Sequence, residues 1–210
     1  MATTRRTLLL TALASAVWPQ DRLPPTDQSN ADPTFAAFLD DLRAIIQRRD
    51  ARALLVHIAP DVNISFGPSK GIEDFRKYWQ LDKPASSTIW PTLSEILRLG
   101  CHHDPATNTF TAPYLFRGLP SQFAPDEHVV AVTPDARMYA RPDAASPVVR
   151  TLDRDILKIV DRAGLWYGVP GPHGQTAWVR TGDVRYPLDY RARFEKRNNR
   201  WLLVVLVSGD

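Results

Sequence analysis

At 210 residues, with 44% hydrophobic and 23% charged side chains, the chain has the composition of a globular protein and the length for one or two cores. Its formal charge is +3, and it drops to +1 once the segment carrying Arg5 and Arg6 is removed. That is too little to argue for a nucleic-acid partner, whose binding needs clustered cations. Cys101 is the only cysteine, so neither an intramolecular disulfide nor a multi-cysteine zinc site can form.

Arg5 and Arg6 precede an apolar run from Leu8 to Val17, and Ala14-Ser15-Ala16 places small residues at a cleavage spacing. Residues 1–16 therefore read as a signal peptide, and the paired arginines fit a twin-arginine signal and a general secretory one equally. The run is shorter than the roughly 20 residues that span a bilayer, so no transmembrane span is expected in the mature protein. A periplasmic or secreted location follows. Residues 17–32, with Pro24-Pro25 among Asp, Gln, Ser and Asn, read as a flexible leader.

Asp32-Pro33 offers a helix cap and a proline for the first helical position, after which Phe35, Phe38, Leu39, Leu42, Ile45 and Ile46 recur at helical spacing through Gln47. Asp50 caps a second helix over 51–58 that Pro60 ends. Val62, Ile64 and Phe66 then alternate with polar residues as a half-buried strand. Gly71–Trp79 and Thr92–Leu99 read as a third and fourth helix, the latter stopped by Gly100. Phe110–Phe116 suits a strand that Pro113 would confine to a sheet edge. Residues 33–120 are thus expected to form an α+β domain.

From Val129 the pattern changes to short apolar strands over 129–132, 138–140, 148–152, 156–160, 166–169 and 176–179, separated by Pro-, Asp- and Gly-rich turns. Such spacing predicts a small closed or half-closed β-barrel over 129–185. Residues 186–210 follow as a β-hairpin, Tyr190–Lys196 and Trp201–Val207 joined at Asn198-Asn199. A nearly uninterrupted apolar strand must be covered on both faces, which the N-terminal domain can do.

Met138-Tyr139-Ala140-Arg141-Pro142, Ser146-Pro147-Val148-Val149, Ile156-Leu157-Lys158-Ile159-Val160, Gly164-Leu165-Trp166-Tyr167-Gly168-Val169 and Gly174-Gln175-Thr176-Ala177-Trp178-Val179 stand in a telling order. That order and spacing resemble the bacterial SH3-like (SH3b) domain, as found in exported proteins. The sequence departs from the family pattern at Tyr139, where Asn is usual, at Asp155, where Gly is common, and at Ala177, where Gly precedes the tryptophan. The closing hairpin with Arg200-Trp201, and the helix, helix, strand order over 34–66, are similar to cone-shaped α+β folds of the nuclear-transport-factor type. Together these resemblances imply an SH3-like barrel inserted in, or packed beside, an α+β domain made from both chain ends.

The barrel resemblance implies a module that recognises peptidoglycan peptides or serves as an interaction domain. Tyr139, Arg141, Trp166, Tyr167 and Trp178 are the candidate ligand residues, since aromatics supply contact area and arginine pairs with carboxylates. The alternative is that the tryptophans fill the barrel core. Weaker catalytic candidates are Cys101, His102 and His103, because a thiolate beside an imidazole can act as a nucleophile. Three adjacent residues seldom point at one atom, so they make a poor metal site, and a loop at a helix C-terminus is the competing reading. His57 reads as a helix-surface or core histidine, and no Gly-x-Ser-x-Gly or glycine-rich phosphate loop occurs. No metal or cofactor is expected. The function this favours is an exported, non-enzymatic binding or scaffolding protein of the bacterial envelope, with peptidoglycan as the expected ligand. The alternatives are an envelope hydrolase using Cys101 with a histidine, or an interaction or inhibitor subunit for another exported protein.

Overall fold

The computed structural model describes residues 21–209, so the signal peptide read over residues 1–16 and the start of the leader lie outside it. The described helices are α1 (Pro33–Arg48), α2 (Ala51–Val56), α3 (Ile72–Tyr78), α4 (Ile89–Arg98) and the short α5 (Leu115–Gly118). The first strands are β1 (Ile58–Asn63), β2 (His102–Asp104), β3 (Thr109–Ala112), β4 (His128–Ala131), β5 (Arg137–Tyr139), β6 (Val148–Thr151) and β7 (Ile156–Lys158). They are followed by β8 (Asp161–Ala163), β9 (Trp166–Pro170), β10 (Thr176–Arg180), β11 (Val184–Arg185), β12 (Arg191–Arg197) and β13 (Arg200–Val207). The class is α+β.

One sheet joins both ends of the chain in the order β1-β13-β12-β3-β2, parallel at β1–β13 and antiparallel elsewhere. Helix α1 covers it. The Asp32 carboxylate accepts from the Thr34 and Phe35 N–H groups at 2.7 and 3.4 Å, and Pro33 occupies a position whose N–H has no helical partner anyway. All six apolar residues of the predicted helix face are buried. Phe35 stacks on Phe110 of β3 with ring centroids 3.7 Å apart and meets Trp201 of β13 edge-on at 4.9 Å. The Trp201 Nε1–H donates to Thr34 Oγ1 at 2.9 Å, so the polar edge of this buried ring is satisfied. Asn198 and Asn199 both take positive φ, as a two-residue turn between β12 and β13 demands.

Several elements differ from expectation for local reasons. Helix α2 ends at Val56 and the chain is already extended at Ile58; Pro60 lies inside an edge strand, where its missing N–H is least costly. Phe66 is not in a strand but is 59% exposed. Strand β3 sits between β12 and β2 rather than at an edge, because it stops at Ala112 before Pro113 can interrupt the ladder. Residues 102–104, read as a loop after a helix stop, pair with Thr109–Thr111 as β2.

Strands β4 to β11 form a five-stranded sheet, β6-β5-β10-β9-β8, and a three-stranded one, β11-β4-β7. The barrel expected over 129–185 is therefore not closed: β4, β7 and β11 belong to one sheet and β5, β6, β8, β9 and β10 to the other, and the chain crosses between them at 132–136, 152–155, 159–160 and 181–183. Val129, Ala131, Met138, Leu157, Val169, Ala177 and Val179 fill the space between the two sheets. Alternation along β4 sends Val130 and Val132 the other way, into a seam cluster with Leu23, Leu99, Tyr114, Leu115 and Ile156. This strand is covered on both faces, which is why its sequence reads as a continuous apolar run.

The leader also departs from expectation over its described part, residues 21–32. Leu23 N–H donates to Arg154 O and Ile156 N–H to Asp21 O, both at 2.8 Å, while Tyr114 Oη donates to Leu23 O at 3.0 Å. Further on, Gln28 N–H donates to Cys101 O at 2.9 Å, and His103 N–H donates to Gln28 Oε1 at 2.8 Å. The segment is bonded to β7's approach at one end and to the edge of β2 at the other. Among the described residues no helix is long and apolar enough to cross a membrane.

Candidate ligand-binding face

Strand pairing sorts the side chains of the five-stranded sheet onto two faces, because residues directly opposite each other in antiparallel strands point the same way. Trp178 of β10 lies opposite Tyr139 of β5 on one side and Gly168 of β9 on the other, and Gly168 lies opposite Asp161 of β8. One step along, Arg180 lies opposite Trp166, which lies opposite Ala163. These two rows make up the outward face. The intervening residues Met138, Val169, Ala177 and Val179 point into the core.

The outward face gathers three aromatic rings and a cation. Tyr139 and Trp166 meet edge-to-face with centroids 5.3 Å apart, and the Arg180 guanidinium carbon stands 5.7 and 5.6 Å from the Tyr139 and Trp166 rings. Tyr139 is buried and forms the floor, Trp166 and Trp178 are half-buried, and Arg180 is exposed. Gly168 is required in the first row. A Cβ there would approach the Asp161 Cβ to 2.7 Å and the Thr176 Cγ2 to 3.0 Å, so those two side chains close over the glycine.

Of the five candidate ligand residues, Tyr139, Trp166 and Trp178 come together. Tyr167 does not: it lies opposite core-facing Val179, is packed against the inner cluster, and carries the Arg162 guanidinium 5.1 Å above its ring. Arg141 lies beyond the end of β5, exposed in the turn where its N–H donates to Ser146 Oγ at 3.0 Å. Arg180 was not anticipated, and neither was Arg137, which stands two residues before Tyr139 on β5 and hence on the same face. Counting by twos along the strands from Trp178 and Tyr139 would have found both.

The catalytic candidates Cys101, His102 and His103 are adjacent in the chain but have different surroundings. Cys101 is fully buried within the α1-side core, and its thiol is pushed up to about 12, chiefly by burial and then by the Asp27 carboxylate. Both weigh against the nucleophile reading, since reactivity needs an accessible thiolate. His103 stacks on Phe110 with centroids 4.5 Å apart and its Nε2 lies 3.0 Å from Asn108 Oδ1. His102 is its neighbour along β2 and so points to the opposite face of the sheet. His57 pairs with Asp41 at 3.1 Å and meets Phe38 edge-on, binding α2 to α1. No group of three or more potential metal ligands occurs among the described residues.

No family model matches the chain, and no curated protein matches it. Among solved structures, the chain is similar to a Xanthomonas campestris crystal structure described as a calcium/calmodulin dependent protein kinase II association domain. The two are 12% identical over 89% of this chain and 96% of that one, with a TM-score of 0.27. At that level the likeness assigns neither fold nor function.

Proposed function

We propose that this chain is an exported, non-enzymatic binding protein of the bacterial envelope, and that β4 to β11 act as an SH3-like module whose outward sheet face recognises peptidoglycan. The observation that carries this reading is the convergence of Tyr139, Trp166, Trp178 and Arg180 on one accessible face. Half-buried tryptophans held rigidly by a sheet give a ligand large apolar contact area at little entropic cost, and a guanidinium adds directional hydrogen bonding. The twin-arginine-like opening of the sequence supports export. The buried thiol of Cys101 argues against the hydrolase alternative.

The test is retention of the purified chain on peptidoglycan sacculi after centrifugation. The wild-type protein is expected in the pellet. Trp178→Ala is expected to weaken retention by at least about tenfold, the cost of losing one central aromatic contact. A far-UV dichroism melt of the variant checks that the sheet still forms. A folded wild-type protein left wholly in the supernatant would overturn the wall-binding reading and favour a docking role on another exported protein.

A further inference from the structure

Resting on that reading, we infer that the outward face contains an anion subsite, formed by Arg180 and Arg137 beside Trp166, that takes a free carboxylate of a wall stem peptide. The argument begins with an arrangement that is unfavourable on its own. Val179 pairs with Met138 in antiparallel register, and Arg180 and Arg137 are the next residues on the two neighbouring strands, both exposed. Like charges directly opposite across two strands destabilise a sheet. No carboxylate pairs with either arginine among the described residues, although eight other arginines, Arg22, Arg43, Arg76, Arg98, Arg150, Arg185, Arg193 and Arg197, do have one. An anion placed between the two guanidinium groups would offset that repulsion and accept paired N–H donors from both.

The aromatic rings give the subsite its shape. Arg180 is steered by the faces of Tyr139 and Trp166 rather than by an acid, which leaves its N–H donors available to a ligand. The neighbouring strand position on β6, opposite Arg137, is Thr151, a neutral residue. Among the described strand residues of this face the single acid is Asp161, which lies in the other row opposite Gly168, three strands along from Tyr139 and beyond Trp178. A bound peptide is thereby oriented: its carboxylate belongs at the Arg180–Arg137 end, its uncharged body crosses Trp166 and Trp178, and a second carboxylate at the Asp161 end is disfavoured. Arginine is suited to this task because its planar fork matches a carboxylate with two parallel hydrogen bonds.

The experiment titrates the purified chain with two probes, N-acetyl-Lys-D-Ala-D-Ala as the free acid and the same peptide as its C-terminal amide, following tryptophan fluorescence. The free acid is expected to bind at least about tenfold more tightly than the amide, and the difference should shrink between 50 and 500 mM salt. Arg180→Gln should bring the acid down to the level of the amide, and Arg180→Lys should recover part of the preference through charge alone. Both positions are exposed, so dichroism should show these variants folded. Equal affinities of the wild-type protein for acid and amide would overturn the subsite, even where sacculi retain the protein. A clear preference for the acid in a protein that sacculi do not retain would keep the subsite and remove the wall-binding reading.

Discussion

Cys101 follows Gly100 into β2 and sits where α1, β2 and the 21–32 segment meet. An ordinary thiol ionises near 9.0, and this one is held to about 12 because burial denies its thiolate water and Asp27 repels it. At pH 8 the thiolate fraction is then about one part in ten thousand. An aromatic disulfide reagent is expected to label folded protein at least about a hundredfold more slowly than protein in guanidinium chloride. The sign of the pH effect follows from the same shift. The unfolded thiol releases its proton from about pH 9 upward, while the folded one keeps it until about 12. The contribution to stability is therefore complete below pH 9 and is lost as pH rises toward 12. Between pH 8 and pH 10 the urea midpoint of the wild-type protein should fall further than that of Cys101→Ala. Equal falls would show that this thiol is not shielded.

At the scale of elements, the 21–32 segment behaves as a strap between the two sheet systems. Gly100 adopts φ 76°, and a Cβ there would come within 2.7 Å of Thr26 O, so the strap lies directly against this turn. Leu23, 7% exposed, fills the seam with Tyr114, Leu115, Val130 and Ile156. Leu23→Ala is expected to cost about 2–5 kcal/mol and Gly100→Ala about 1–3 kcal/mol in urea unfolding. Unchanged midpoints in both would show the strap to be a passive tether. The strap was not legible in the sequence because Pro, Asp, Gln and Ser announce an irregular backbone without saying where its hydrogen bonds go. By contrast, α1 was legible almost residue by residue, since its cap, proline and apolar spacing all agree. The ligand face was half legible. Its aromatic residues stood out by type, whereas nothing in the sequence singled out Arg137 and Arg180, which alternation along β5 and β10 puts on the face of Tyr139 and Trp178. Tyr167 failed for the complementary reason: adjacent strand residues of like chemistry face opposite ways.

For the whole molecule, the decisive feature is the place of β12 and β13. The sheet order β1-β13-β12-β3-β2 puts the last two strands at its centre, so the first half of the chain holds only the flanks of its own sheet until residue 207 is in place. Strands β4 to β11 are inserted between β3 and β12 in the chain and rest on the first half through the seam. Ala192, Phe194, Trp201, Leu203, Val204, Leu206 and Val207 are all buried in or beside the first core or its margin. At about 1.5–3 kcal/mol for each large side chain, their burial is comparable with the entire net stability of about 5–15 kcal/mol typical of a folded protein. A chain ending at residue 186 is therefore expected to lose near-ultraviolet dichroism from its N-terminal half, bind a hydrophobic dye and be cut by trypsin within residues 33–112. In the full chain, limited trypsin digestion should leave β12 and β13 intact although they carry Arg191, Arg193, Lys196, Arg197 and Arg200, because a strand in the middle of a sheet cannot open alone. Early release of the C-terminal hairpin, with the remainder still melting cooperatively, would show that the two chain ends are not one folding unit.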